Sequence, residues 1–539
     1  MGNGVAASLW ARARTWRDED PDVDSRAELT RILDAHDEEA LADRFGASLT
    51  FGTAGLRAEV GAGPNRMNRA VVRRASHGLA TYVKQHGGKK VVVGFDARTK
   101  SDVFARDAAA VLSGAGLEVA LMPRALPTPM LAFAVRGLGC DAGAMVTASH
   151  NPPRDNGFKV YLGDGRQIVP PADVEIASAM DSVTSLSDIP LAESWQIVPE
   201  SVIDAYVHEV AALVDPASPR DVHIVYTPMH GVGRDLFCAV LRRAGFPAPQ
   251  LVREQAEPDP AFPTVPFPNP EEPGALDLAL ALAAQTRPDV VIAQDPDADR
   301  CAAAVDGRLL RGDEVGVLLA SHVLRRDPRQ HGTFATTIVS SSLLGKIAAR
   351  NGLRYEETLT GFKWLSRVPD LRYAYEEALG YCAAPHLVGD KDGISAGLLL
   401  AELVATLKAE GRTLFDLLDD LALDYGLHAI DQLTIRTTDS AALVQRLRVQ
   451  PPRSIGTRGV VSFEDLTAGA GGLPPTDGLR LRLDGDVRVV VRPSGTEPKL
   501  KCYLELVVPV EGSVSGTRER AADELAELKR GLQTAIAQP

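Results

Sequence analysis

Three carboxylates at alternate positions open the reading: Asp295, Asp297 and Asp299 in Asp295-Pro296-Asp297-Ala298-Asp299-Arg300. If the loop curls, their oxygens converge on one hard cation and leave open positions for a phosphate, which is Mg²⁺ chemistry on phosphorylated substrates. Without a cation, carboxylates this close repel one another. An EF-hand begins with similar spacing, but here position six is Arg300 rather than Gly and position twelve is Asp306 rather than Glu. The plain alternative is a solvated acidic turn.

A second motif is Thr147-Ala148-Ser149-His150-Asn151-Pro152-Pro153, followed by Asn156-Gly157-Phe158-Lys159. A hydroxyl stands beside an imidazole in a loop stiffened by two prolines. Ser149 is a candidate nucleophile, with His150 or Lys159 as acid or base. It is not the G-x-S-x-G elbow of the α/β-hydrolases. The alternative is an Asn-Pro turn whose Ser and Asn bond only the backbone.

A third is Arg492-Pro493-Ser494-Gly495-Thr496-Glu497-Pro498-Lys499. Arg492 offers a planar fork to a phosphate, and Ser494, Gly495 and Thr496 offer hydroxyls and backbone N–H groups in a tight turn. A plain hairpin turn is the alternative. Three weaker signals stand beside these. The adjacent carboxylates Glu376 and Glu377 could accept hydrogen bonds from sugar hydroxyls. Thr50-Phe51-Gly52-Thr53-Ala54-Gly55-Leu56-Arg57 is a Gly-rich turn ending in Arg57, and Lys363 lies in Thr360-Gly361-Phe362-Lys363-Trp364. P-loop, dinucleotide and zincin patterns are missing.

Strands and helices must position these groups. Continuous apolar runs, each followed by a turn and a helical pattern, start near Lys90, Ala142, Val222, Asp289 and Thr333. Such βα units predict an α/β protein with mixed or parallel sheets buried on both faces. Residues 432–437 and 479–491 alternate apolar and polar, which predicts a half-exposed antiparallel sheet. A final helix is predicted over 516–536, so this end reads as a separate α+β domain. Residues 257–273 hold seven prolines and read as a long ordered excursion. Residues 453–475 read as a Gly- and Pro-rich loop, and 181–200 as a polar lead into a new domain.

At about 150 residues per domain, 539 residues suggest three or four domains. The net charge of −13 argues against a nucleic-acid-coating protein. No apolar stretch of the roughly 18 residues needed to span a bilayer is present, and the start lacks a charged segment leading into an apolar one, so neither membrane insertion nor secretion is expected. Five scattered cysteines without a CxxC pair point away from zinc and disulfides and toward the cytoplasm.

Taken in order, the motifs Thr147–Pro152, Asp295–Arg300 and Arg492–Lys499 resemble the α-D-phosphohexomutase superfamily, which includes phosphoglucomutase and phosphomannomutase. Phe51–Arg57, Gly361–Trp364 and Glu376–Tyr381 look most like the branch with phosphopentomutase-type enzymes and many bacterial phosphomannomutases. The resemblance implies four domains around a central cleft: three related α/β domains with mixed sheets and a smaller C-terminal α+β domain. The expected divisions are 1–215, 216–311, 312–428 and 429–539. It implies that Ser149 is carried as a phosphoserine and that Asp295, Asp297, Asp299 and Ser149 hold one Mg²⁺. Arg57, His150 and Lys159 would lie close to the transferring phosphoryl group, with Arg300 beside them. Lys363, Glu376 and Glu377 would face the sugar, and Arg492, Ser494, Gly495 and Thr496 the phosphate that is not transferred.

The expected activity is the interconversion of hexose 1- and 6-phosphates (mannose, glucose or both) through a sugar bisphosphate that also acts as activator. Alternatives are a phosphopentomutase, a sugar 1,6-bisphosphate synthase, a Mg²⁺-dependent phosphatase, or a non-catalytic sugar-phosphate sensor. One departure bears on the sugar: where many relatives have Gly-Glu-x-Ser, this chain has Tyr375-Glu376-Glu377-Ala378 and lacks the serine hydroxyl. The expected partner is a small phosphosugar, with no nucleic acid and no membrane.

Overall fold

The computed structural model describes residues 2–52, 55–328, 330–437, 439–493 and 499–537. The chain divides into two compact units, residues 1–310 with 380–406, and residues 311–379 with 407–539.

The first unit holds two sheets. The six-stranded one runs Leu56–Glu59, Asp155–Leu162, Ala142–Val146, Lys90–Phe95, Glu118–Leu121, Trp195–Ile197. Its last four strands are parallel, whereas Asp155–Leu162 and Leu56–Glu59 are antiparallel to their neighbours. Val91, Val92 and Val93 are all buried, as a strand covered on both faces requires. The helices Arg69–Gln85 and Ser101–Gly114 supply apolar residues to the same core as those strands. The five-stranded sheet runs Arg308–Leu309, Ala302–Val305, Val290–Ala293, Ile224–Thr227, Gln250–Leu251. Both sheets deliver their chemistry-bearing loops from strand C-termini, Ala142–Val146 into Ser149 and Val290–Ala293 into Asp295.

Residues 181–200 include a strand, Trp195–Ile197, that joins the first sheet parallel to Glu118–Leu121. Three N-terminal helices, Gly2–Glu19, Val23–Asp34 and Glu38–Phe45, form their own small core around Leu29, Leu41 and Phe45. Glu28 ties this layer down, accepting from the Ala62 N–H and from Arg44.

In the second unit, Arg354–Thr358, Thr333–Thr337 and Leu371–Glu376 pair in parallel. A six-stranded sheet runs Leu427–Arg436, Lys499–Val508, Val487–Pro493, Leu479–Leu483, Arg458–Asp465, Ser454–Ile455. Its neighbouring strands run antiparallel, and the helix Val514–Ala537 packs on it. The expected loop over 453–475 is sheet in its first half, where Val460 and Ser462–Asp465 pair with Leu479–Leu483, and loop only after Asp465. The alternation at 479–491 is present, but its polar positions are not all solvated: Arg480 and Arg488 are buried. Ion pairing explains why. Arg480 meets Glu464 and Glu357, while Arg488 lies 2.8 Å from Glu505 and 3.4 Å from Glu357 and donates to the carbonyls of Ile338 and Ser340.

Glu505 also accepts from Ser341, the Ser342 N–H and His428. Burial works against its charge, yet Arg488 and His428 hold it below the usual carboxylate range. No helix among the described residues is long and apolar enough to cross a membrane. Removing one partner of a buried pair leaves an uncompensated charge, which costs about 3–5 kcal/mol. Arg488→Met is therefore expected to lower the stability of the second unit by about that amount in urea unfolding. A change under about 0.5 kcal/mol would mean that Glu505 is held by its other donors.

Candidate active site

The serine loop is clamped by the strand beside it. Thr147 Oγ1 donates to Asp96 Oδ2 at 2.6 Å and accepts from the Ser149 N–H at 2.8 Å. Arg98 donates to the carbonyls of Ser149, Asn151 and Pro152 at 2.5, 2.6 and 2.9 Å. Ser149 itself has φ +54°, a left-handed conformation that costs energy for a non-glycine residue. Those hydrogen bonds oppose its relaxation. Ser149 Oγ donates to Asp295 Oδ2 at 2.9 Å and lies 3.1 Å from His150 Nδ1.

The carboxylates of Asp295, Asp297 and Asp299 converge as their spacing predicts. One oxygen from each lies within 4.8 Å of the others, and all three residues are fully buried. Gly231 permits the loop's close approach, since a Cβ there would stand 2.4 Å from Pro296 Cα. Lys159 Nζ lies 2.8 Å from Asp297 Oδ2 and 2.9 Å from Asp299 Oδ2, and Lys391 Nζ is 3.4 Å from Asp299. Thr128 donates to Asp297 at 2.6 Å. Asp297 Oδ1 and Asp299 Oδ1 are buried with no hydrogen-bond partner. Orphaned buried carboxylate oxygens need an explanation, and three converging hard oxygens fit a divalent cation.

Charge is uneven across the triad. Burial, followed by the charges of Asp297 and Asp299, pushes Asp295 well above the usual carboxylate range. Burial opposes charge on Asp297 too, but Lys159 and Thr128 hold it below that range. Asp299 is also held low, with Lys159 and Lys391 outweighing burial and Asp297. Burial likewise works against the Lys159 ammonium, yet Asp297 and Asp299 raise its pKa, so Lys159 stands charged. Burial and then Arg300, Arg57, Lys391 and Lys159 push His150 well below its ordinary value, so its ring is neutral. Arg57, on the strand Leu56–Glu59, reaches Asn151 Oδ1 at 3.3 Å.

Ser149, His150, Lys159, Arg57, Asp295, Asp297, Asp299 and Arg300 are thus gathered in the first unit. The other candidates belong to the second. Glu377 Oε2 accepts from Thr337 and Ser340, and its N–H donates to Ser340 Oγ. Glu376 ends the strand Leu371–Glu376 and is buried. Lys363 lies in the short helix Phe362–Leu365 with Nζ 5.7 Å from the Trp364 ring centroid. Arg492 lies on Val487–Pro493 opposite Lys501. Ser494, Gly495 and Thr496 fall outside the described residues.

Sequence reasoning missed Asp96, Arg98, Thr128 and Lys391. The available signals were modest: Asp96 and Arg98 follow a strand, and Gly389-Asp390-Lys391-Asp392-Gly393 is a polar cluster before an apolar helix. Its aspartates are anchors, with Tyr161 and Gln167 donating to Asp390 and Tyr206 to Asp392. A Cβ on Gly393 would meet the Arg300 carbonyl at 2.2 Å, so the segment packs directly behind the carboxylate loop.

Models for the phosphoglucomutase/phosphomannomutase alpha/beta/alpha domains I, II and III match residues 48–187, 204–308 and 311–425, and the model for the C-terminal domain matches 445–527. A protein named probable phosphomannomutase from Haemophilus influenzae is 42% identical over 488 residues, covering 88% of this chain and 98% of its own. The phosphopentomutase of Homo sapiens is 33% identical over 611 aligned positions, covering 100% of this chain and 97% of its own. The crystal structure of a phosphoglucomutase/phosphomannomutase family protein from Burkholderia thailandensis has the same fold, with TM-score 0.69, 23% identity, and coverage of 90% of this chain and 97% of that one. With four α/β and C-terminal domains matched in order and a buried serine set against a carboxylate triad, the chain belongs to the phosphoglucomutase/phosphomannomutase family and is a mutase of the isomerase class.

Proposed function

We propose that the chain interconverts hexose 1-phosphate and hexose 6-phosphate, of mannose, glucose or both, through a phosphoserine at Ser149 and a sugar bisphosphate. The observation that carries this reading is the 2.9 Å approach of Ser149 Oγ to Asp295 inside the buried carboxylate triad. Asp295, Asp297 and Asp299, with Ser149 beside them, would hold Mg²⁺, whose charge offsets that of a transferring phosphoryl group.

The chain's own residues account for the rest. The Asp96–Thr147 and Arg98 hydrogen bonds fix the serine in a strained loop aimed at the triad. Lys159, charged and buried, and Arg57 supply positive charge to equatorial phosphate oxygens. Burial of Ser149 excludes water, which protects a phosphoserine from hydrolysis. In the second unit, Lys363, Glu376 and Glu377 are proposed to face the sugar, and Arg492 with Ser494, Gly495 and Thr496 to take its other phosphate. Two phosphate sites separate a mutase from a phosphatase, because the bisphosphate must turn end for end and be held in both orientations.

A pentose 1-phosphate is the second reading. It is favoured by the full-length similarity to a phosphopentomutase and by Ala378, which removes a hydroxyl from the sugar loop. Five free cysteines suit a cytoplasmic enzyme.

Ser149→Ala is expected to keep the fold and to lower mutase turnover by on the order of 10⁴-fold or more. Near-normal mutase activity in that variant would remove Ser149 as the phosphoryl carrier. Mg²⁺ at about 100 times its Kd should stabilise the folded protein by about 2.7 kcal/mol, seen as a raised Tm that chelation reverses. Asp297→Asn should lose most of that Mg²⁺-dependent rise. An equal rise in the variant would place the ion elsewhere.

A further inference from the structure

The proline-rich stretch 257–273, without a role so far, grips Arg300, and Arg300 faces the imidazole beside the serine. Arg300 is nearly buried; its Nη1 lies 3.5 Å from Asn269 Oδ1 and 3.4 Å from Glu271 Oε2. Its Nη2 lies 3.4 Å from His150 Nε2. Phe267, from the same stretch, meets the His150 ring edge to face at a centroid distance of 6.4 Å.

We propose that Arg300 is a positioning residue that fixes the tautomer of His150, so that Nδ1 carries the proton and donates to the Ser149 oxygen. A guanidinium has only donors. The nitrogen facing it must offer a lone pair, so Nε2 is bare. A neutral imidazole has one N–H, and that proton therefore stands on Nδ1, 3.1 Å from Ser149 Oγ.

The serine end has room for that donor: when Oγ donates to Asp295 Oδ2 at 2.9 Å, it keeps lone pairs for the Nδ1–H of His150.

The catalytic meaning of this arrangement rests on the mutase reading. When phosphoserine gives up its phosphoryl group, the P–Oγ bond breaks and its electron pair stays on Oγ. The new P–O bond forms to the sugar hydroxyl, whose proton ends on Oγ, so that a serine hydroxyl and a sugar phosphate replace the phosphoserine and the sugar hydroxyl. A donor already aimed at Oγ stabilises the charge that develops there. It also means that His150 cannot take the serine proton through Nδ1 on the return step.

The test is long-range ¹H–¹⁵N correlation NMR of the full chain labelled at histidine. It uses dephosphorylated protein at a pH where the ring is neutral, and the His150 signal is identified by its loss in His150→Gln. The wild type should show a protonated Nδ1 and a bare Nε2. Arg300→Lys, again donor-only, should keep that pattern, whereas Arg300→Met should shift the ratio toward Nε2–H. A wild-type spectrum with the proton on Nε2 would overturn the proposal without reference to any variant's folding, and so would an unchanged pattern in folded Arg300→Met. Mutase turnover of the wild type is measured separately. Its absence alongside an Nδ1–H signal would remove the mutase reading and leave the tautomer standing.

Discussion

Three carboxylates buried within 4.8 Å of one another set the terms for the first unit. Burial alone would push each toward its neutral form, and their mutual repulsion adds to that. The chain answers with Lys159 and Lys391 at 2.8–3.4 Å and with Thr128 as a neutral donor. Even so, two oxygens remain without partners. The same surplus of negative charge draws Arg57, Arg98 and Arg300 inward, and burial, followed by the charges of Arg300 and Arg57, keeps His150 neutral. One constraint thus connects the metal-ligand chemistry, the charge state of the acid/base groups and the unusual burial of several arginines.

The second unit meets a similar demand with a different arrangement. Arg488 and Glu505 lie between a parallel sheet and an antiparallel one, and each is met by several further polar groups. Such pairs contribute little net stability against an apolar replacement. What they do supply is a tie between the turn after Thr333–Thr337 and the strand Val487–Pro493, because Arg488 donates to the Ile338 and Ser340 carbonyls. Glu377 and Arg492 lie on these two parts of the unit.

How much of this was legible in the sequence depended on distance along the chain. The carboxylate triad lies within six residues of the end of an apolar strand, so local spacing was enough to read it. Ser149, His150 and Lys159 were legible for the same reason. The contacts that make them a site were not. Ser149 meets Asp295 across 146 positions, and Arg98 clamps the serine loop across 51. Lys391 had no motif of its own, and its role depends on tyrosines from two distant elements. Sheet alternation misled at Arg480 and Arg488, because a polar residue in a strand marks solvent only when no buried acid awaits it. The loop expected at 453–475 failed over 458–465, because that run pairs with Leu479–Leu483 on one side and Ser454–Ile455 on the other.

The central claim is that Ser149 passes a phosphoryl group between two positions of one sugar. A phosphorus NMR time course tests it most directly, with Mg²⁺, a trace of hexose 1,6-bisphosphate, and glucose, mannose or ribose 1-phosphate supplied separately. The account predicts conversion to the 6- or 5-phosphate at constant total phosphosugar, fastest with a hexose. Inorganic phosphate as the main product, or no conversion of any sugar while Ser149 is phosphorylated, would contradict it.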